Sequence, residues 1–257
     1  MGAAEPLFLL YATLWGAVLG SFLNVCIARL PERQSVVSPR SRCAKCRRPL
    51  RWYDNIPILS YLLLRGRCRA CGEPISWQYP VVELAAAGIW GGMAVLYGPT
   101  WHALQGGVFL ALLLTIALID ARHYLIPDAL SLGGLVAGIA LAPLPGPPGL
   151  LASATGAAAG FVVLYGVALL GDRLFKKPSM GGGDIKMMAM VGAFLGPVGA
   201  MLTIFLGALT GSVIFGPISL KTGKLVPFGV FLALGAAITF VLGDALIAWY
   251  AGLVSPG

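Results

Sequence analysis

"SMGGGDIKMMAMVGAFLG", residues 179–196, sets three glycines and an aspartate at the mouth of an apolar run that otherwise reads as a membrane segment. An ionisable group at membrane depth is costly to keep and marks function by default. The surrounding chain makes the membrane reading firm. Of 257 residues, 58% are hydrophobic and only 11% charged, and the mean hydropathy is +0.86. Too few charges are available to coat a soluble globule. At roughly 20 apolar residues per crossing, the sequence predicts spans at 6–28, 80–97, 102–120, 129–142, 150–171, 185–198, 199–217 and 226–250. The expected fold is therefore an all-α polytopic membrane protein with about eight transmembrane helices. Its first span lacks a basic leader and a small-residue cleavage pattern and follows Glu5, so it is expected to be a retained helix rather than a removed signal peptide.

Charge is concentrated in one place. Residues 29–79 hold eleven of the eighteen Lys and Arg against Glu32, Asp54 and Glu73, a balance of +8 that equals the net charge of the whole chain. A basic loop beside a first span is expected to be cytoplasmic. Alternation through eight spans then sends Arg122, Arg173, Lys176, Lys177, Lys186, Lys221 and Lys224 to the same side, while the outer connections at 98–101 and 143–149 and both tails hold none. Membrane topology thus accounts for the basic cluster, and no nucleic-acid partner is expected. Three regions follow: a first transmembrane helix at 1–28, a cytoplasmic loop domain at 29–79, and a transmembrane domain at 80–257.

Within the loop stand "CAKC" (Cys43, Cys46) and, after 21 residues, "CRAC" (Cys68, Cys71). Two Cys-x-x-Cys knuckles supply the four thiolates of a closed, structural tetrahedral zinc site. The alternatives are thiols without metal or two disulfides, the latter disfavoured by a reducing cytoplasm. A loop of this size has little apolar core, so Zn²⁺ would supply much of its folding free energy. Cys26, alone in the first span, reads as a small buried apolar residue.

Topology also decides what the carboxylates can do. Asp184 opens the sixth span and Asp120 closes the third, "LLLTIALID", so both arrive at one depth on the inner side. If their helices pack together, mutual repulsion makes the pair share one proton. One carboxylate can then activate water while its protonated partner hydrogen-bonds the carbonyl under attack. Gly181, Gly182 and Gly183 are expected to free the backbone there for close approach of an extended substrate. For Asp120, spacing alone leaves open a loop carboxylate paired with Arg122. Asp128, in "IPDALSL", reads as a helix N-cap, Asp172 as solvated, and Asp244 as an outer-interface residue, while Glu83 and Asp54 are harder to dismiss. The sequence has no His-Glu-x-x-His zinc motif, no Gly-x-Ser-x-Gly elbow and no glycine-rich dinucleotide fingerprint.

Several ordered stretches resemble one family. "GSFLNVCIARLP" at 20–31, the two knuckles around "LRWYDNIPILSYLLLRGRCRACGEPIS", "YPVVE" at 79–83, "DARHYLIPD" at 120–128, "GGGDIKMMAMVGAFLG" at 181–196 and "VPFGVFLALGA" at 226–236 are similar to the type IV prepilin peptidases, Gly-x-Gly-Asp aspartic proteases of bacterial inner membranes. The resemblance implies that Asp120 and Asp184 are the catalytic pair. It also implies cleavage of the basic leader from type IV prepilins and type II secretion pseudopilins on the cytoplasmic side, then N-methylation of the new N-terminus with S-adenosylmethionine. The residues that would bind the methyl donor are not legible. A peptidase without methylation, or a zinc-stabilised membrane assembly or binding protein whose carboxylates pair structurally, are the alternative readings, and lipid is a partner in all three.

Overall fold

The structure, a computed structural model, describes residues 4–146, 148–176, 179–222 and 227–254. Lys177 and Lys224, expected in inner connections, lie outside the described residues. Among the described residues eight α-helices follow one another: α1 (Ala4–Arg29), α2 (Leu59–Leu63), α3 (Gln78–Tyr97), α4 (Trp101–His123), α5 (Asp128–Leu141), α6 (Leu150–Phe175), α7 (Gly182–Thr222) and α8 (Phe228–Val254). Among the described residues there is no strand beyond two isolated bridges, Arg42 with Pro49 and Arg67 with Pro74. The chain divides into two compact units, Met1–Gly107 and Val108–Gly257, with the division falling inside α4.

In the first unit, α1 packs on α3 through small residues. A Cβ at Gly16 would meet the Ala86 carbonyl, and one at Gly20 would meet the Glu83 backbone. Close helix approach of this kind is how membrane helices gain dispersion energy where no hydrophobic drive exists between them. Cys26 is buried on α1, as its reading as an apolar residue requires. Between α1 and α3 lies the knuckle segment, with a single 3-10 turn (Trp52–Asn55) and the short α2.

The second unit is centred on Phe109, Ile116, Ile119, Met187, Met188, Met190 and Leu232, all essentially without exposure. Phe109 stacks on Phe194 at 4.7 Å between ring centroids. Apolar side chains on the far face of α6, such as Leu151, Val162 and Leu174, point outward instead, which suits lipid rather than water.

Among the described residues, six helical stretches are long and apolar enough to cross a membrane by length and composition: Pro6–Arg29, Gln78–Tyr97, Trp101–His123, Leu150–Phe175, Gly182–Ile214 and Phe228–Leu253. The eight expected legs reappear once α7 is followed residue by residue. At Gly196 the backbone leaves the helix, with φ 70 and ψ −178, a left-handed region in which glycine costs nothing. The arm before Gly196 lies against α6, with Gly160 touching Met188 and Gly156 touching Gly192. Beyond Gly196, α7 runs antiparallel to α8, with Gly235 against Thr203 and Gly207 against Leu232. Because α8 starts beside Asp120 and Asp120 lies within electrostatic reach of Asp184, the second arm returns to the level where the first begins. α7 is thus a helical hairpin whose arms are the sixth and seventh expected spans, turning at Gly196 rather than between 198 and 199. The eighth leg is the shorter apolar α5, which runs beside the first arm, Gly134 against Met190 and Gly138 against Phe194.

Candidate active site and metal centre

Four chain segments build the carboxylate site, all from the second unit. Asp120 sits in the last turn of α4 and is 5% exposed. Its Oδ2 accepts a hydrogen bond of 3.1 Å from the Val230 amide, and the Gly229 amide also donates to it. These are N–H groups of the first turn of α8, the Val230 amide being shared with the Pro227 carbonyl at 3.2 Å, and a helix start is a favourable neighbour for a carboxylate. The alternative for Asp120, a loop carboxylate paired with Arg122, does not describe this buried position. Asp184 lies in the first turn of α7 and its charge and that of Asp120 act on each other. The carboxylates predicted to share one depth are therefore brought together, each beside a helix N-terminus.

The glycines need space here rather than unusual backbone angles. None of Gly181, Gly182 or Gly183 has a positive φ. A Cβ at Gly183 would stand 2.9 Å from the Ile126 Cβ, and one at Gly181 would stand 3.2 Å from the Asp184 Oδ2. At Gly182 nothing lies within 4 Å. Gly229 is the tightest position for the site: a Cβ there would come within 2.8 Å of the Asp120 Oδ2. Sequence reasoning gave Gly229 and Val230 no role, and the one local signal was a proline-x-glycine opening an apolar helix in "VPFG".

One further acid departs from expectation, while Asp172 is exposed, as expected. Asp128 is the first residue of α5 and makes no side-chain cap. Its two oxygens instead receive Lys186 Nζ at 2.7 and 2.9 Å. A cation 58 residues away outcompetes the local amides for a half-exposed carboxylate, and Lys186 is thereby engaged with Asp128 rather than with Asp184. Asp172 accepts from the Ser179 amide (2.7 Å) and hydroxyl (2.9 Å), tying the end of α6 to the segment entering "GGGD".

In the first unit, the Sγ atoms of Cys43, Cys46, Cys68 and Cys71 all lie within 4.8 Å of one another. Cys43 and Cys71 are 3.8 Å apart. Thiolates at about 2.3 Å from a tetrahedral Zn²⁺ are separated by about 3.8 Å, so the residues fit the metal. Each knuckle is the same turn. Cys43 N–H donates to the Arg48 carbonyl and Arg47 N–H back to the Cys43 carbonyl, while Cys68 pairs likewise with Glu73 and Gly72. Arg47 and Gly72, each directly after the second cysteine, have φ 57 and 71. Lys45 and Glu73 form an ion pair from one knuckle to the other. The Cys43 thiol is held down at about 7, first by the Cys46 amide and then by that of Lys45. Cys71 lies at about 11, where the Glu73 amide draws it down but partial burial and the other three thiols outweigh it. Thiols this close cannot all ionise without a cation among them.

Beside the knuckles a cavity of about 940 Å³ reaches to the ends of α1 and α3, with Asn24, Arg29, Asp54, Tyr61, Cys68 and Glu83 in its wall. Asp54 is ion-paired with Arg69 at 2.8 Å. The size suits a nucleoside-bearing ligand, and the wall offers both a guanidinium and carboxylates to a zwitterion.

The family model described as the Bacterial Peptidase A24 N-terminal domain matches residues 14–97, and that of the Type IV leader peptidase family matches residues 107–216. The chain is 39% identical over 226 residues to the prepilin leader peptidase/N-methyltransferase of Myxococcus xanthus, covering 88% of this chain and 68% of that protein. It is 35% identical over 283 residues to the protein of that name from Pseudomonas aeruginosa, covering 96% and 95%. With that of Aeromonas salmonicida it shares 33% over 266 residues, covering 92% and 91%. No solved structure matches.

Proposed function

The chain belongs to the type IV leader peptidase family, and from that premise we propose that Asp120 and Asp184 carry out its peptide cleavage. The protein is a prepilin peptidase with N-methyltransferase activity, a multi-pass membrane enzyme. The observation that carries the assignment of the pair is their convergence at the start of α7 and α8, with Asp120 held by the Val230 amide.

The two carboxylates share one proton, and their protons titrate as a property of the pair. Asp120 keeps one oxygen on the Val230 amide, leaving its other oxygen and Asp184 to hold a water between them. The charged member withdraws a proton from that water as it attacks the scissile carbonyl, and the protonated member hydrogen-bonds the carbonyl oxygen as charge develops there. The leaving amine then recovers a proton from the pair. The tight fit of Gly181 and Gly183 keeps side chains away from the path an extended peptide would take to the water.

The site faces the cytoplasm in this reading. Arg122 in the last turn of α4 and Arg173 in that of α6 share the end of the second unit that carries the aspartates, in keeping with the positive-inside rule. α5 and the first arm of α7 are each about 21 Å long at 1.5 Å per residue, shorter than a hydrocarbon core of about 30 Å, which suits a dyad sunk slightly below the headgroups. A substrate with a basic leader in the cytoplasm and an apolar helix in the bilayer presents its junction at that depth. Pseudopilins share this layout and are substrates alongside prepilins.

Residues 80–257 hold the peptidase chemistry, and the loop domain at 29–79 is associated with methylation. Cys43, Cys46, Cys68 and Cys71 hold a structural Zn²⁺ that fixes the loop. S-adenosylmethionine, when bound in the cavity beside the knuckles, supplies an electrophilic methyl group. Arg29 is placed to meet its carboxylate, and Asp54 its hydroxyl and amine groups. Incubating the purified protein with a prepilin, with and without S-adenosylmethionine, and weighing the products tests the reading: leader loss in both, and a further methyl only with the donor. Intact prepilin in both would refute it.

A further inference from the structure

The wall of the first unit's cavity contains a buried polar cluster that neither zinc nor the aspartate pair uses. Glu83 on α3 is 7% exposed. Its Oε2 accepts the Ile58 amide at 2.7 Å, and the Ser21 hydroxyl of α1 also donates to it. Asn24, one turn further along α1, is 2% exposed. Its Nδ2 donates to the Gly20 carbonyl (3.2 Å) and to the Tyr79 carbonyl (3.1 Å), which spends its donors and fixes which end of the amide is oxygen. Its Oδ1 has no donor. A buried acceptor with no partner is uncommon and asks for an explanation.

The backbone is strained to build this cluster. Ile58, at the start of α2, has φ 62 and ψ −52, a conformation that β-branched residues rarely adopt. Strain held by its surroundings gathers at functional sites, and here it turns an amide onto Glu83. Two acceptors in the wall of a cavity, one of them anionic, match a ligand that is a cation with several N–H donors. A primary ammonium is such a ligand.

Resting on the reading that the protein methylates the N-terminus it creates, we infer that Glu83 and Asn24 form the acceptor subsite of methyl transfer, receiving the new N-terminal amine of the cleaved substrate. An ammonium has no lone pair, so it must lose a proton before it can be methylated. The Glu83 carboxylate takes that proton. The freed lone pair forms the N–C bond as the S–C bond of the donor breaks, giving a methylammonium and S-adenosylhomocysteine, and the Glu83 proton returns to solvent. Asn24 Oδ1 accepts one of the remaining N–H groups and aims the lone pair. Ile58 and Ser21 are positioning residues, acting through Glu83.

The donor also carries a primary amine, so the test separates the two. Full-length protein in detergent is given a mature-pilin peptide with a free or an acetylated N-terminus, and separately S-adenosylhomocysteine, and the affinities are measured alongside cleavage and methylation. Glu83→Gln keeps an acceptor for the Ile58 amide but removes the base. It is expected to slow methylation by about 10²–10⁴-fold, the usual worth of a general base, with cleavage and zinc content unchanged. The preference of the wild type for the free amine over the acetylated peptide disappears, while S-adenosylhomocysteine binds as before. Glu83→Asp restores part of the rate, and Asn24→Ala slows methylation about 10-fold, the loss of one hydrogen bond. Weakened S-adenosylhomocysteine binding with the free-amine preference intact would assign the cluster to the donor and overturn the inference. Methylation and peptide preference both unchanged in Glu83→Gln would overturn it too. A wild type that cleaves but never methylates would instead remove the premise, and the subsite with it.

Discussion

Replacing Gly229 by alanine probes the carboxylate site through one added methyl group. The new Cβ would stand 2.8 Å from the Asp120 Oδ2 and 2.8 Å from the Ile126 Cδ1. Ile126 can swing the end of its side chain aside. Asp120 cannot yield as cheaply, because the same oxygen is held at 3.1 Å by the Val230 amide. Ordinary contact begins near 3.4 Å, so the oxygen must retreat by about 0.6 Å, which carries the amide bond beyond hydrogen-bonding distance. A hydrogen bond to a charged group contributes about 1.5–3 kcal/mol, and each ~1.4 kcal/mol is tenfold in rate. Cleavage should therefore slow by about 10–150-fold. The fold should not suffer, since alanine is the better helix former by about 1 kcal/mol. The assay is the initial rate of leader removal from one prepilin, at matched folded protein, beside Gly133→Ala. Gly133 is exposed on α5 with nothing within 4 Å of a Cβ, and its variant should stay within about twofold of wild type. Wild-type cleavage by Gly229→Ala would refute the claim that the α8 amides hold Asp120 in its working position.

The glycines before Asp184 should rank by the space each lacks: Gly182→Ala near wild type in cleavage, Gly181→Ala impaired, and Gly183→Ala most impaired because the Ile126 Cβ it meets at 2.9 Å is fixed to the backbone; an equal loss at all three would contradict the packing account. Cys46→Ser should lose zinc, measured by elemental analysis, and make residues 29–79 sensitive to limited proteolysis, since the metal supplies that segment's folding energy; methylation should fall at least as far as cleavage. Lys186→Ala breaks the half-exposed ion pair with Asp128 and should cost no more than about 1 kcal/mol in thermal stability; abolished cleavage in a folded protein would show that Lys186 serves the aspartate pair directly.

What could be read from the sequence follows the range over which each signal acts. The knuckles were legible because a zinc site is written in spacing, and the second cysteine of each turn precedes a residue of positive φ, Arg47 or Gly72. Depth was legible as well, because counting crossings by parity put Asp120 and Asp184 on one side without any knowledge of how helices pack. The turn at Gly196 lay within a few residues of the expected break, since "GP" marks it locally. Other features depend on tertiary neighbours. Asp128 follows Pro127 as a cap should, yet its partner Lys186 lies on another helix. The Gly229 and Val230 amides serve Asp120 across 110 residues, and no periodicity announces which helix start will dock on which carboxylate. Glu83 stood out as an acid at a span boundary, but the strained Ile58 that faces it could only be found in three dimensions.

The central claim is that two carboxylates, and these two, cut the peptide. Asp120→Asn, Asp184→Asn and Asp128→Asn should each be given the same prepilin at matched folded protein, and leader release followed by mass. Asparagine preserves shape but cannot share the proton, so Asp120→Asn and Asp184→Asn should each abolish cleavage while retaining zinc. Asp128→Asn should cleave at close to the wild-type rate. Normal cleavage by either dyad variant, or a dead Asp128→Asn beside an active Asp120→Asn, would contradict the account.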